Sequence, residues 1–457
     1  MRKRLAIAVG MLLLGGIGAM FWLLPRTPRA GPWKLADGSE LSLAGVTYGK
    51  HHTMRYGDRF VDYLYPVLTK ALRNKFGCKV TTLDTTNANA VVIWFWGKGV
   101  PLAATSGYWG IQEPPYCISV ADAFGMESDV VDRPASKIAM RGTNVLYGWE
   151  LKQFPRRSRE MNIRVYGAAF NRDKQQFVTQ FKILNRGQRK FPMWKAEPLP
   201  ITVTTNGLEV TFARFTTGTE EYMFLPERKV TNYFSYAGFT LMENHQLADA
   251  DWRVVFASAS AASGEARDSY GWMESPGYDG LSYILPFKGT FWMEEPAWKL
   301  RVKISRIAHF PQDELWTVMG VAVPARGKAI DLNLKTNMHG SEIELFAING
   351  PMTNFNDGVR ATIGKVPPQL SVRSPLPALD TQLEIVDVKD NLGRNVPFGW
   401  DGGIPSTGGR GATIRELIQV FPITIPDGAE TLDITFAYTK SVFVEFVAKP
   451  TVAKQSQ

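Results

Sequence analysis

The chain repeats one series of landmarks three times, and this recurrence constrains its fold more than any other feature. "DGSELSLAGV" from Asp37, "NGLEVTFARF" from Asn206 and "HGSEIELFAI" from His339 each place a turn residue and Gly before one variable position, a Glu and alternating apolar residues. Asp-Gly and Asn-Gly favour two-residue hairpin turns, and period-2 alternation belongs to a strand with one buried face. A second landmark recurs as "YGW" at Tyr147 to Trp149, "YGW" at Tyr270 to Trp272 and "FGW" at Phe398 to Trp400. Pro155, Pro296 and Pro426 follow, each ahead of an alternating strand ("NIRVY", "KLRVKI", "LDITFAY"). A closing strand then ends each copy: "FVTQFKILN", "WTVMGVAVP" and "VFVEFVAKP".

A copy of roughly 125 residues is too long for a solenoid repeat and suits a complete domain. Short alternating strands with turn signals and few helical periods predict an all-β body of three tandem antiparallel β-sandwich modules. Polar stretches rich in Pro or Gly near 188 and 325 predict the boundaries. Module one spans 32–188, module two 189–325 and module three 326–450, with a cytoplasmic tip, anchor and linker at 1–31 and a flexible tail at 451–457. In module one, Phe60, Leu64, Val67, Leu68, Ala71 and Leu72 mark one face at helical spacing, predicting an inserted helix at 58–76 with Gly77 as its cap. Pro66 implies a kink or a late start.

Leu5 to Leu24 carries no charge, and its twenty residues as a helix span the roughly 30 Å hydrocarbon layer. The leading "MRKR" holds the N-terminus in the cytoplasm by the positive-inside bias, an argument weakened by Arg26 and Arg29 on the far side. The expectation is a single-pass signal anchor, with the lipid bilayer as partner and the body periplasmic or extracellular. The alternative is a signal peptide cut after Ala19, which would leave "MFWLLP" at the start of the mature chain.

Lys plus Arg number 52 against 43 Asp plus Glu, for a net charge of +9. Arg2, Lys3, Arg4, Arg26 and Arg29 all precede residue 30, and beyond them only "PRRSR" at 155–159 is densely basic. No nucleic-acid partner is expected from this pattern. The two cysteines, Cys78 and Cys117, could form a disulfide outside the cytoplasm, worth on the order of 3 to 4 kcal/mol. Two buried thiols are the equal alternative.

No catalytic or cofactor signature stands out. "ATSGYWG" near Ser106 lacks the first Gly of a nucleophile elbow, and "TGGRGAT" at 407–413 lacks the lysine of a phosphate-binding loop. His51 and His52 would alternate faces on a strand and could not easily share one metal. His339 reads as a turn residue, and "DVKDNLG" from Asp387 lacks the spacing of a calcium loop. No cofactor and no metal site are therefore expected.

Ser269 to Trp298 packs three Trp, three Tyr and two Phe among Gly and Pro. If Trp149, Trp272 and Trp400 hold equivalent places, these rings are mostly framework. The alternative is an exposed binding surface for a glycan or peptide, built from Trp94, Trp96, Tyr108 and Trp109 of module one or Tyr278, Tyr283 and Trp292 of module two.

With "DGSELSLAGVTYG", the "YGW" or "FGW" corner and "VFVEFVAKP", the chain beyond residue 32 resembles the tandem immunoglobulin-like ectodomains of uncharacterised, signal-anchored bacterial envelope proteins. The resemblance is architectural and implies no active site. The favoured reading is a membrane-anchored extracytoplasmic structural or protein-interaction protein without catalytic activity. A glycan- or peptide-binding envelope protein is the alternative, and an enzyme with a site between modules is the least favoured.

Overall fold

A computed structural model describes residues 31–35, 38–56, 79–86, 90–99, 116–128, 131, 135–139, 145–167, 177–186, 190–225, 228–233, 235–248, 250–269, 273–274, 281–287, 289–356, 361–375, 380–399, 403–405 and 416–452. Among these the chain is all-β, with one 3-10 turn at Gln312–Glu314. No described helix is long and apolar enough to cross a membrane. Leu5 to Leu24 and the helix expected at 58–76 lie outside the described residues.

The first unit contains β1 (Trp33–Lys34), β2 (Glu40–Tyr48), β3 (His51–Tyr56), β4 (Lys79–Asp84), β5 (Val91–Lys98), β6 (Tyr116–Ala121), β7 (Ser136–Ala139), β8 (Val145–Leu151), β9 (Glu160–Gly167) and β10 (Phe177–Leu184). One sheet runs β1-β2-β5-β8-β7, a second runs β10-β9-β6, and β3 pairs β4 in a separate hairpin.

The second unit begins with β11 (Ile201–Thr205), β12 (Leu208–Thr217), β13 (Thr219–Leu225), β14 (Arg228–Tyr233), β15 (Ser235–Glu243) and β16 (Gln246–Leu247). It continues with β17 (Trp252–Ala261), β18 (Ala266–Asp268), β19 (Met273–Glu274), β20 (Tyr283–Phe287) and β21 (Trp298–Arg306). The remaining strands are β22 (Leu315–Ala322), β23 (Ala329–Met338), β24 (Ser341–Asn349), β25 (Met352–Asn356), β26 (Ala361–Val366), β27 (Gln369–Pro375), β28 (Thr381–Asp390), β29 (Gly403–Pro405), β30 (Glu416–Pro422), β31 (Thr431–Lys440), β32 (Val442–Ala448) and β33 (Thr451–Val452).

The larger sheets of the second and third units repeat the first strand for strand, as β11-β12-β15-β20-β19 and β23-β24-β27-β30-β29. The hairpins β13–β14 and β25–β26 stand where β3–β4 stands. Local chemistry repeats as well. Asn206-Gly207 and His339-Gly340 have positive φ at both positions, which a two-residue hairpin turn of type I′ requires. At one aligned position of "DGSELSLAGV" and its two copies, a β-bulge shifts the register between Leu43 and Gly45, between Phe212 and Arg214, and between Leu345 and Ala347. An irregularity at one aligned position in all three copies marks a built feature of the repeat.

The smaller sheets depart from the sequence-based division. In the first unit, β10 folds back beside β9. In the other two, the closing strands change places. β22, expected to close the second unit, pairs β31 of the third, and β32, expected to close the third, pairs β21 of the second. The sheets accordingly run β18-β17-β21-β32 and β22-β31-β28. The physical reason is connection length. Ser441 alone separates β31 from β32, whereas the tightest common hairpin loop has two residues. The chain therefore runs onward into the neighbouring unit. The two crossing segments meet where the buried Ser305 and Ser441 hydroxyls bond at 2.8 Å.

Two further expectations change. The equivalence expected of Trp149, Trp272 and Trp400 gives way to one set by strand register: Tyr147 to Trp149 lies within β8, whereas Trp272 and Trp400 lie outside the described residues. Register aligns Trp149 with Leu285 and Phe421 instead, through the ladders Val46–Ile93–Trp149, Phe215–Ala237–Leu285 and Ile348–Leu370–Phe421. All three are buried. The position demands a large apolar side chain rather than an indole. The expected flexible tail at 451–457 begins with β33, which pairs β12 in parallel.

Each pair of sheets shares one core. In the first unit the core joins Leu43, Phe95 and Trp149 of the larger sheet to Ile118, Ile163 and Ile183 of the smaller. Val444, Phe446 and Ala448 of β32 lie in the second core, and Val318 and Val321 of β22 in the third.

Candidate functional site

Among the described residues, the largest concentration of buried charge lies between the first and second units. Its parts are a turn after the strand opening each smaller sheet and a corner before that sheet's central strand. In the first unit the turn is "DAFGM" (122–126), where Asp122 Oδ1 accepts the N–H groups of Phe124 and Met126, both at 2.9 Å, and Gly125 has φ +82°. Asp390 does the same in "DNLGR" (390–394), at 3.0 and 2.8 Å, with Gly393 at φ +75°. Asp suits this place because its short carboxylate satisfies turn N–H groups. The second unit forms the same turn at 261–265 with Ala261 at the Asp position and Gly264 at φ +85°. The "DVKDNLG" segment is thus the end of β28 followed by this turn.

The corners occupy 152–159 and 289–297. Each unit's turn meets the other unit's corner, an arrangement with approximate twofold character. From the first corner, the Phe154 N–H and Arg156 Nε donate to Glu265 Oε1 at 3.3 and 3.0 Å, and Arg156 Nη1 donates to the Ser263 carbonyl. In return, Thr290 of the second corner donates to the Glu127 carbonyl, and Met126 packs on the second core. The corners also touch: Arg157 Nε donates to Glu295 Oε2 at 2.8 Å and the Ser158 hydroxyl to Glu294.

Two arginines serve one carboxylate here, because Arg267 Nη1 lies 2.6 Å from Glu265 Oε2. Removing such charges from water is repaid only when the pairing and hydrogen bonding are nearly complete. Arg267 also lies over the Trp298 ring and Arg156 over the Phe154 ring. Glu127 accepts from Ser119, Arg164 and Tyr166. Burial, reinforced by that carboxylate, pushes the Tyr166 phenol up to about 12. Burial also raises Asp122 and Glu294 above the usual carboxylate range, with Asp122 and Glu295 adding to the rise at Glu294. Asp122 Oδ2 and Glu294 Oε2 are buried without a hydrogen-bond partner. No group of three or more His, Cys, Asp or Glu among the described residues could hold a metal ion. Chemically, the arrangement is a joint that fastens two units.

Of the aromatic candidates, Trp94 is buried on the outer face of the first unit's larger sheet with Val92 and Leu146, beneath Met54 and Leu83 of the β3–β4 hairpin. Gly148 makes room for it, since a Cβ there would stand 2.8 Å from the Trp94 ring. Trp94 Nε1 donates to Thr47 Oγ1 at 2.9 Å, and Thr47 bonds the buried His52 at 2.8 Å. Trp96 is half-buried beside this cluster. Tyr283 is buried and donates to the Trp252 carbonyl at 2.6 Å, and Trp292 is buried in the second core. Tyr108, Trp109 and Tyr278 lie outside the described residues. Cys117 is buried, its thiol 3.8 Å from the Tyr166 carbonyl, and Cys78 lies outside the described residues, so the choice between a disulfide and two thiols does too. His51 is exposed beside Asp84 at 2.8 Å.

Sequence reading did not assemble the joint, although its parts had shown themselves. "PRRSR" supplies Arg156, Arg157 and Ser158, and the acidic pair Glu294 and Glu295 lies in the aromatic stretch. No local pattern announces that these meet. No family model, no curated protein and no solved structure matches this chain.

Proposed function

We propose that the chain is a membrane-anchored, extracytoplasmic structural or protein-interaction protein whose body is built from three immunoglobulin-like modules. The observation that carries this reading is how the repeats are fastened. Buried arginine–carboxylate contacts join the first two units, and exchanged strands join the last two. Joints of this kind resist reorientation of neighbouring units, which suits a stiff spacer or scaffold. The buried Trp94, Trp149, Tyr283, Trp292 and Trp298 support the view that the rings mainly fill cores. The uncharged stretch from Leu5 to Leu24 supplies the anchor.

The test is a pair of C-terminal fusions to the full chain in bacterial cells. A phosphatase reporter that works only after export should be active, and a fluorescent reporter that matures only in the cytoplasm should stay dark. Alkaline washing should leave the protein in the membrane pellet. A bright cytoplasmic reporter, or release by the wash, overturns the reading.

A further inference from the structure

We infer that residues 24–30, which lead into β1, occupy the outer edge of β10 and fasten the first unit to the stretch that precedes it. The inference rests on the repeat and holds whether or not Leu5 to Leu24 crosses a membrane.

Three strands hold one place in the three smaller sheets. β10 pairs β9, β32 pairs β21 and β22 pairs β31, and each is the end strand of its sheet. Phe181 of β10 and Phe446 of β32 each lie 6.0 Å from an aligned ring, Phe95 and Phe239 respectively. An end strand presents a row of N–H and C=O groups that further chain can pair with, and folds protect such edges by covering them or by breaking them with a bulge.

The second unit covers its edge. In the linker ahead of β11, the Glu197 N–H donates to the Val447 carbonyl of β32 at 2.8 Å. Lys299, opposite Val447 on β21, lies over the Trp194 ring of the same linker. The third unit breaks its edge. A bulge at Met319 and Gly320 faces Asp433, whose carboxylate accepts the Gly320 N–H at 2.8 Å. In the aligned central strands, Asp433 and Lys299 stand with Asn162 of β9.

The first unit does neither among its described residues. β10 keeps unbroken register from Thr179 to Leu184, with Lys182 opposite Asn162. Because the Asn185 N–H donates to the Arg159 carbonyl, alternation along the strand turns the N–H and C=O groups of Leu184, Lys182 and Gln180 outward. The Tyr48 hydroxyl donates to the Leu184 carbonyl, while no described residue bonds the outward backbone of Lys182 or Gln180.

The occupant is identified by where the chain enters. Trp33 stacks on Phe181 of β10 at 5.0 Å, so the residues ahead of it arrive at this edge. Register places Trp33 with Val203, through their aligned partners Leu41 and Val210. Counting back equally from each sets Thr27-Pro28 where the second unit has Glu197-Pro198. Proline suits an edge position, where no ladder needs its N–H. The Thr27 N–H then donates to the Lys182 carbonyl, as that of Glu197 does to Val447. Leu24 is thereby held against the first unit, and the body cannot swivel freely on the stretch before it.

The experiment is hydrogen exchange, read by mass spectrometry on the full chain in detergent. In wild type the amides of Arg26, Thr27, Arg29 and Ala30 should exchange about tenfold or more slowly than in a free peptide of the same sequence. Lys182→Pro removes an outward N–H and obstructs the edge while sparing the ladder with β9. It should abolish that protection and leave Ile163 and Val165 protected. Thr27→Pro, which removes the donor from the other side and leaves the body untouched, should likewise release Arg26, Arg29 and Ala30. Fast exchange at these amides in wild type overturns the inference. Protection that survives both variants overturns it too, as does protection that grows with protein concentration, which would give the edge to a second copy.

Discussion

Arg156 and Glu265 meet across the boundary of the first two units, Nε to Oε1 at 3.0 Å, with side chains only 4% and 1% exposed. Because Glu265 also answers Arg267, removing it strands two buried guanidinium groups. Glu265→Ala should destabilise the chain by about 3–5 kcal/mol. Arg156→Ala added to it should cost less than the sum of the single changes, since the two share one network. Denaturant unfolding of the three variants checks both statements.

The joint should loosen as pH rises. Burial raises Asp122 above 3.8 and Glu294 above 4.5, so in the window above those values the folded chain holds protons that the unfolded chain has lost. Their contribution is complete below the unfolded values and is lost as pH rises through the folded ones. Glu294→Gln keeps an acceptor for Ser158 and removes the titration. Its stability should fall less between pH 4.5 and neutrality than that of wild type. Thermal midpoints across that range report the difference, and parallel curves would refute it.

His52 works in the opposite direction. Burial holds its imidazole below 6.5 despite the nearby Glu150 and Asp84. Thr47 Oγ1, which accepts from Trp94, lies 2.8 Å from Nδ1, and its hydroxyl can serve a neutral ring there. Its contribution is complete above pH 6.5 and is lost as pH falls from there through the folded-state value. His52→Asn should remove that acid-side slope. A slope unchanged in the variant assigns it to other groups.

Exchange of closing strands makes the second and third units one folding body. Phe446 of β32 lies 5.2 Å from Phe212 and 6.0 Å from Phe239 in the second core. Phe446→Ala should cost about 3–5 kcal/mol and should expose Trp292 and Trp298, read by fluorescence quenching. A chain ending at residue 325 should fail to fold its second unit. Native-like protection of those two indoles in the truncated chain would disprove this.

Gly148→Ala places a methyl group 2.8 Å from the Trp94 ring. The ring is held by Thr47 below and the β3–β4 hairpin above, so it has little room to yield. A loss of about 1–3 kcal/mol is expected. Thermal unfolding tests it, and a neutral result would mean that the hairpin shifts freely.

The sequence displayed the repeat through local signals: Asn206-Gly207 and His339-Gly340, the alternation after them, and the prolines before β21 and β31. It misled at "YGW", where a three-residue match suggested an equivalence that the register assigns to Leu285 and Phe421. A short aromatic motif recurs easily in a chain rich in rings, whereas a bulge at Ala44, Ala213 and Phe346 requires matching strands on both sides.

Turns and alternation are set by neighbouring residues, so the sequence alone determined where strands begin, which face of each is apolar, and that the unit occurs three times. Partner choice is not local. Any antiparallel edge offers β32 the same ladder of hydrogen bonds, and only a one-residue link at Ser441 together with a vacant edge beside β21 sent it to the second unit. The same holds for Arg156 and Glu265, which lie 109 residues apart. Only the packed units bring them within reach and exclude the water that would otherwise have kept them apart.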